Sequence, residues 1–403
     1  GFGFFGVSVI WSIYNAFVPL FLANKFGLSA GWIGFFMTLD NIAALFIQPP
    51  VGAWSDRLRT PIGRRMPFIL IGAPIGALAF GIIPLAAVLP LFVACTSTLL
   101  LSMAFWRTPV VALMPDITPS QFRSQANGII NLMGGIGTII ASLVGSTLYE
   151  ININFPFWMG SGLVVLASLL VFIFIKEPKE YEQGEKQPNM FESLREVVED
   201  KDKSGLRILL AIFFWFLAYN GIEAFLTLYA TQHIGMPEGD AGRLFGHLGI
   251  FFVLFAMVAG YIGGRIGRRI TISIGIVLMG LIIASLYFLP ASLLATPLAK
   301  LPALGMVRVL SLFMMAAGAA WSFININSLP MVVDLTTAAR VGTFTGLYYL
   351  FSTFAAILGP NLNGWIIQAG GNNYGLIMLL APGFLFIALL LMLGVKRGEA
   401  TRL

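Results

Sequence analysis

Long apolar segments recur along this chain and restrict it to a lipid bilayer. Windows of about 20 predominantly apolar residues, the length a helix needs to cross the hydrocarbon core, follow one another with short breaks from Phe2 to Val395. Apolar residues make up 58% of the chain and charged residues only 10%, which is outside the range of soluble domains. A spanning strand needs about 10 residues of alternating polarity, and the windows show no such alternation. The sequence therefore predicts an all-α membrane protein.

Twelve windows are predicted as transmembrane helices, six in each half of the chain. They cover residues 2–23, 31–54, 67–88, 90–114, 125–149, 156–175, 206–231, 243–263, 270–290, 304–331, 342–368 and 374–395. The two predicted bundles, 1–175 and 206–403, are separated by a polar stretch at 176–205. Apolar residues at helical spacing in this stretch predict a short amphipathic helix along the membrane surface, serving as a tether; they are Phe191, Leu194, Val197 and Val198.

The positions of the basic residues predict the orientation. Lysines and arginines cluster in alternate connections between the predicted spans, and by the positive-inside rule those connections and both termini are cytoplasmic. We expect a multi-pass protein of the cell inner or plasma membrane. The net charge of +6 follows from this topology and indicates no nucleic-acid partner. A single cysteine, Cys95, excludes an internal disulfide, and the sequence suggests neither a metal site nor a cofactor.

Internal repetition indicates how the spans are organised. The connection "GAWSDRLRTPIGRRMPF" from Gly52 is matched by "GYIGGRIGRRITI" from Gly260, and "PDITPSQFRSQANG" from Pro115 by "VDLTTAARVGTFTG" from Val333. The first spans of the two halves also agree, since "YNAFVPLFL" from Tyr14 is similar to "YNGIEAFLTLYA" from Tyr219. Repeats of this kind are typical of transporters that hold a substrate near the midplane between two halves.

Two segments carry a family resemblance. The stretch "QPPVGAWSDRLRTPIGRRMPF" from Gln48 resembles the second-to-third-helix signature of the sucrose/proton symporters of plants, their animal relatives and bacterial homologues, and "PVVALMPDITPSQFRSQANG" from Pro109 resembles their fourth-to-fifth-helix region. A looser similarity extends to the glycoside-pentoside-hexuronide:cation symporters. The resemblance implies the major facilitator fold, a monomer, and proton- or sodium-coupled transport of a sugar or glycoside.

Ionisable residues inside the predicted spans are candidates for cation coupling, because a charge at a helix centre costs roughly 2.5 to 3.5 kcal/mol on insertion scales. The strong candidates are Asp40, Arg107 and Glu223. We predict that Asp40 accepts the proton and that Arg107 either stabilises its ionised form or binds substrate hydroxyls. A static buried charge pair is the alternative.

Polar and aromatic residues at similar depth are candidates for substrate binding. Amide side chains both donate and accept hydrogen bonds, as sugar hydroxyls require, and an aromatic ring can support the apolar face of a pyranose. The predicted set is Tyr14, Asn15, Arg107, Tyr219, Asn220, Glu223, Trp321, Asn325 and Asn327. For the asparagines, hydrogen bonding between helices is an equally open alternative.

Charged residues at the cytoplasmic helix ends are predicted to form a gate. Asp56 follows the second span and is placed to bind arginines or a neighbouring helix N-terminus while the cytoplasmic side is shut. The predicted gating set is Asp56, Arg64, Arg65, Asp116, Arg123, Arg269, Asp334 and Arg340. A charge cluster that only sets topology is the alternative.

The sequence thus predicts a secondary active transporter that couples a cation, by preference a proton, to symport of a sugar or glycoside. Proton-coupled efflux of a drug or metabolite is the runner-up, and a non-transporting scaffold or an intramembrane enzyme comes last. An enzyme would need a nucleophile with a base, or a cluster of metal ligands; neither is apparent in the sequence.

Overall fold

A computed structural model describes residues 1–118, 123–177, 190–302, 304–336 and 341–398. It confirms the twelve predicted spans as helices that are long and apolar enough to cross a membrane. The first half contains α1 (Phe2–Leu20), α2 (Ala30–Phe36), α3 (Leu39–Arg57), α4 (Met66–Ile82), α5 (Leu89–Ile117), α6 (Arg123–Ile151) and α7 (Phe155–Phe174). The linker forms α8 (Met190–Glu199). The second half contains α9 (Ser204–Leu228), α10 (Glu238–Ile266), α11 (Arg268–Phe288), α12 (Ala291–Leu294), α13 (Val309–Val333), α14 (Val341–Ala369) and α15 (Leu376–Leu393).

Backbone conformation repeats between the halves where the sequence repeats. The first and seventh spans both end in a five-residue π-helical segment, Phe21–Lys25 and Tyr229–His233. Glycines with positive φ follow these segments at Gly27 (65°) and Gly235 (81°). The "IGRR" turns place two more, Gly63 (113°) and Gly267 (102°), in the same conformation. Only glycine adopts it without strain, so the repeat preserves the turn geometry of both bundles.

The second span is interrupted, although it was predicted as one continuous helix. The α2 helix ends at Phe36, Met37 and Thr38 form a turn, and α3 begins at Leu39. The hydroxyl of Thr38 donates to the carbonyl oxygen of Phe35 at 2.7 Å and accepts from Asn361 Nδ2 at 3.0 Å. Hydropathy does not register this break because the mean hydropathy of the span from Ala30 to Arg57 stays high across it.

The tenth span begins later than predicted. Residues Pro297–Leu301 (β1) and Gly305–Arg308 (β2) pair as an antiparallel two-stranded hairpin, and α13 starts only at Val309. The sequence window placed its start at residue 304. A short apolar run before a helix has no periodicity that separates strand from helix, which explains the difference.

The linker helix α8 lies in the polar stretch where a short helix was predicted. Val197 is buried and Val198 is exposed. Beyond α8, the guanidinium of Arg397 contacts the carboxylates of Asp200 and Asp202, each at 2.6 Å. Hydrogen bonding from Arg397 lowers the pKa of Asp200, and hydrogen bonding from Ser204 together with Arg397 lowers the pKa of Asp202. The end of the linker is therefore tied to the segment that follows α15.

Candidate functional site

A polar cavity of about 230 Å³ lies between the two halves. Helices α1, α3, α5, α9 and α14 contribute to its wall. The lining residues are Trp11, Asn15, Met37, Asp40, Asn41, Arg107, Asn220, Glu223, Ala224, Ala356 and Pro360. The structure thus places five of the predicted site residues around one cavity: Asn15, Asp40, Arg107, Asn220 and Glu223. Their roles remain predictions.

Asp40 reaches the cavity because the second span is broken. It lies in the first turn of α3, where backbone N–H groups lack helical partners and favour a negative charge. Its carboxylate interacts with the backbone N–H groups of Asp40 and Asn41 and accepts a hydrogen bond from Asn41 Nδ2 at 2.9 Å. The break therefore supplies a pre-organised anion site at membrane depth.

Arg107 faces the same cavity from α5. It interacts electrostatically with Asp40 and with Tyr349. No ion pair within 4.0 Å joins Arg107 to Asp40 among the described residues. Both side chains therefore line the cavity without bonding directly to each other, so each is available to a solute.

Glu223 brings the second half to the site. Asn15 Nδ2, on the first helix of the first half, donates to Glu223 Oε1 at 3.4 Å. Asn220, one turn before Glu223, donates from its own Nδ2 to the carbonyl oxygen of Phe216 at 2.7 Å. The two halves thus meet at a carboxylate and an amide in the cavity wall.

Two polar lining residues were not in the predicted set. Trp11 precedes Asn15 by one helical turn, and its indole Nε1 is buried without a hydrogen-bond partner in the described part of the chain. Asn41 directly follows Asp40. Trp11 could have been found from its spacing to Asn15, because neighbours at i and i+4 share a helix face. Asn41 lies one residue from Asp40, and helical spacing does not indicate it.

Five predicted substrate residues lie outside the cavity wall; they are Tyr14, Tyr219, Trp321, Asn325 and Asn327. The rings of Tyr219 and Trp321 stack at 4.1 Å with an interplanar angle of 11°. Tyr14 is buried against Trp11, with ring centroids 5.7 Å apart. Asn327 Nδ2 donates to the carbonyl oxygens of Ala259 at 3.1 Å and Phe323 at 3.0 Å, so its contacts are those of the helix-packing alternative.

Ion pairs connect the helix ends at the face that carries the basic loops, which we call the basic end. Asp116 accepts from Arg64 at 2.6 Å and from Arg65 at 2.9 Å, and Arg65 also contacts Asp56 at 2.5 Å. Glu177 accepts from the backbone N–H groups of Arg64, Arg65 and Met66 at 2.8 to 3.1 Å. The carboxylates of Asp56 and Asp116 thus bind arginines of the first half, and Glu177, at the start of the linker, binds the same connection.

The second half has a related pair. Asp334 accepts from Arg268, which was not in the predicted gating set, and the predicted Arg269 donates to the carbonyl oxygen of Val395 at 2.7 Å. Arg268 is the repeat counterpart of Arg64, so the repeat itself was the signal for it. The side chain of Arg123 and the whole of Arg340 lie outside the described residues.

At the opposite end of the molecule, polar bonds cross between the halves. Arg243 of α10 forms a bidentate pair with Glu150 of α6, at 2.6 and 2.8 Å. Glu238 accepts from Tyr149 Oη at 2.7 Å and from Asn24 Nδ2 at 2.7 Å. These bonds close the end of the cavity remote from the basic loops.

Glycines allow the two halves to approach closely there. A Cβ atom at Gly242 would lie 2.5 Å from the hydroxyl oxygen of Ser146, and one at Gly246 would lie 2.7 Å from Leu143. On the other side of the interface, a Cβ atom at Gly34 would lie 2.3 Å from the carbonyl oxygen of Pro360. Small residues of this kind are typical of tightly packed membrane helices.

Comparison with known proteins gives relatives of several transport classes. A tetracycline resistance protein, class E, of Escherichia coli is 23% identical over 96% of this chain and 91% of its own. A general alpha-glucoside permease of Schizosaccharomyces pombe is 26% identical over 57% of this chain and 46% of its own length. The crystal structure of a point mutant of the nucleoside transporter NupG matches with a TM-score of 0.77 at 18% identity, over 98% of both chains.

These likenesses agree on the fold and differ in the solute carried. The model of the Major Facilitator Superfamily matches residues 1–329, and the twelve helices make the chain a multi-pass membrane protein. The chain therefore belongs to the Major Facilitator Superfamily, as a secondary transporter.

Proposed function

We propose that this transporter couples a proton to the symport of a sugar or glycoside by alternating access. The observation that carries the proposal is the chemistry of the cavity wall, which combines three amides, a guanidinium and two carboxylates. Hydroxyl groups donate and accept at once, and this wall offers both partners. The buried indole N–H of Trp11 adds a donor that has no partner among the described residues.

The cavity volume favours a small solute. Its 230 Å³ is below the roughly 300 to 1,000 Å³ of pockets for drug-sized ligands. In the proposed cycle Asp40, Arg107 and Glu223 couple the cation, and the asparagines Asn15, Asn41 and Asn220 bind the solute.

Uptake into proteoliposomes tests this proposal. Labelled monosaccharides, sucrose, maltose and related glycosides are presented under an imposed inward proton gradient, with and without sodium. We expect accumulation above the external concentration that a protonophore abolishes. Absence of uptake for every glycoside under both gradients would contradict it.

Efflux is the second candidate, because the tetracycline resistance relative aligns over nearly the whole chain. The same vesicles distinguish it. Efflux by antiport predicts that an outside-acid gradient expels a preloaded solute in exchange for entering protons, whereas symport predicts that the same gradient drives the solute inward together with the protons.

The orientation in the membrane, and a gate formed by the bonds at the end remote from the basic loops, belong to the same proposal. Bonds such as Glu150–Arg243 close the end remote from the basic loops, so the structure is that of a carrier whose cavity serves the cytoplasm if the basic end is cytoplasmic. In this scheme the bundles 1–175 and 206–403 move against each other, and 176–205 tethers them. A membrane-impermeant thiol reagent acting on Lys201→Cys checks the orientation, and labelling from outside intact cells would refute it.

A further inference from the structure

The cavity holds an unequal number of charges. Asp40 and Glu223 contribute two carboxylates, and Arg107 contributes the one guanidinium among the described residues that line it. With all three ionised, the cavity carries one uncompensated negative charge at membrane depth, where such a charge is costly. One further positive charge must therefore reside there during part of the cycle. The question is which carboxylate receives it.

Asp40 has its own compensation. It lies at the N-terminus of α3, next to its free backbone N–H groups, and Asn41 Nδ2 donates to it at 2.9 Å. Arg107, which lines the same cavity, interacts with it electrostatically. An ionised carboxylate is favoured by each of these contacts, so Asp40 is suited to remain ionised.

Glu223 lacks comparable partners. It lies within α9, away from the free N–H groups of the helix start. The groups that face it are Asn15 from α1, at 3.4 Å, Asp40 from α3 with the same charge, and Tyr219 from its own helix. From α14 the cavity receives only Ala356 and Pro360, which do not titrate. The electrostatic partners of Arg107 are Asp40 and Tyr349.

We infer that Glu223 carries the exchangeable proton and that Asp40 stays ionised as the fixed partner of Arg107. This inference rests on the proposed proton coupling and replaces Asp40 as the predicted proton acceptor. One O–H bond forms on the Glu223 carboxylate when a proton enters from the aqueous cavity, and the same bond breaks on release. Glu223 also accepts the hydrogen bond from Asn15, and in that step this acceptor changes between a carboxylate and a carboxylic acid. The hydrogen bond between Asn15 and Glu223 joins the first helices of the two halves. The proton thus acts at the contact between halves.

Infrared difference spectroscopy of the purified protein in lipid tests this assignment without any solute. During a titration from alkaline to acidic pH, the wild-type protein is expected to gain the carbonyl-stretch band of a buried carboxylic acid. Glu223→Gln should lose this band, Glu223→Asp should retain it at a shifted frequency, and Asp40→Asn should retain it at the acid end. Asp200→Asn, in the linker, is the control and should leave it unchanged.

Two outcomes would overturn the inference. One is a band that persists in Glu223→Gln and disappears in Asp40→Asn; the other is a wild-type protein with no such band. Because the readout needs no transported sugar, it stands even if uptake experiments reveal another solute. Retention of secondary structure by circular dichroism shows that each variant is folded. In vesicles that do accumulate solute, Glu223→Gln should lose gradient-driven accumulation.

Discussion

Neutralising Glu150 is expected to open the end of the transporter remote from the basic loops. The Glu150–Arg243 pair joins α6 of one half to α10 of the other and can exist only while that end is closed. In Glu150→Gln, Arg243 keeps its ion pair with Asp240 at 2.7 Å. No unpaired buried charge is created, so the variant should fold.

The size of the effect follows from the exposure of the pair. Arg243 is 6% exposed and Glu150 is 46% exposed. An exposed pair contributes up to about 1 kcal/mol, and bidentate, charge-assisted geometry strengthens it, which gives about 1 to 2 kcal/mol here. This energy contributes in full to the free-energy difference between the closed and open states, because the open state lacks the pair. A shift of that size changes the ratio of open to closed populations by about 5- to 30-fold.

Double electron–electron resonance, which measures distances between spin labels, detects this shift in the open and closed populations. Spin labels at Ile153→Cys, beyond α6, and Leu298→Cys, in β1, lie on exposed positions of the two halves at this end. The background is Cys95→Ser, which removes the only native thiol. We expect Glu150→Gln to add or enlarge a population at longer distance.

A matched substitution supplies the control. Glu199 pairs with Arg195 at 2.7 Å within the exposed linker helix, so Glu199→Gln removes the same charge without touching the contact between halves. It should leave the distances unchanged. Identical distributions in Glu150→Gln and wild type, or an equal shift in Glu199→Gln, would refute the reasoning.

Two further pairs of variants test packing and the cavity. Gly263→Ala should lower the free energy of unfolding by about 1 to 3 kcal/mol, because a Cβ atom there would lie 1.9 Å from Asn327 Oδ1. A Cβ atom at the neighbouring Gly264 would have nothing within 4 Å, so Gly264→Ala should be neutral or stabilising in the same thermal melting assay. Trp11→Phe should weaken solute binding about five-fold through loss of a hydrogen bond worth about 1 kcal/mol. The control is Trp215→Phe, because the indole N–H of Trp215 is also unpartnered among the described residues but lies outside the cavity wall. This control should leave the affinity unchanged, and an equal loss of affinity in both variants would contradict a direct contact between Trp11 and the solute.

The membrane made most of the fold predictable from sequence. Each span must be long and apolar enough to cross lipid, so hydropathy located all twelve, and the repeated "IGRR" segments anticipated equivalent turns at Gly63 and Gly267. The break at Met37 and Thr38 was missed, because neither glycine nor proline marks it and one of the two hydrogen bonds of the Thr38 hydroxyl comes from Asn361, far along the chain.

The direction in which a side chain points was less predictable from the sequence than its depth in the membrane. Ionisable residues in apolar windows pointed to Asp40, Arg107 and Glu223, and the structure places all three at one cavity. Depth alone does not specify the helix face, however. Asn327 has the expected depth, yet its amide bonds to the α10 backbone at Ala259. The indole ring of Trp321 stacks on the ring of Tyr219. A side chain's neighbours decide its role, and one sequence does not contain them.

The internal repeat offers a way to recover part of this information. Asn15 and Asn220 are repeat partners, and both line the cavity. Glu223, however, corresponds to Val18, and Arg107 corresponds to Asn325. Positions that set backbone geometry are therefore shared by the halves, while the charges of the cavity are not. A symmetric scaffold can present the cavity to either side of the membrane with equivalent motions. In the proposed cycle, the direction-dependent chemistry comes from the positions at which the halves differ, so the proposed coupling rests on Glu223 and Arg107 rather than on the shared asparagines.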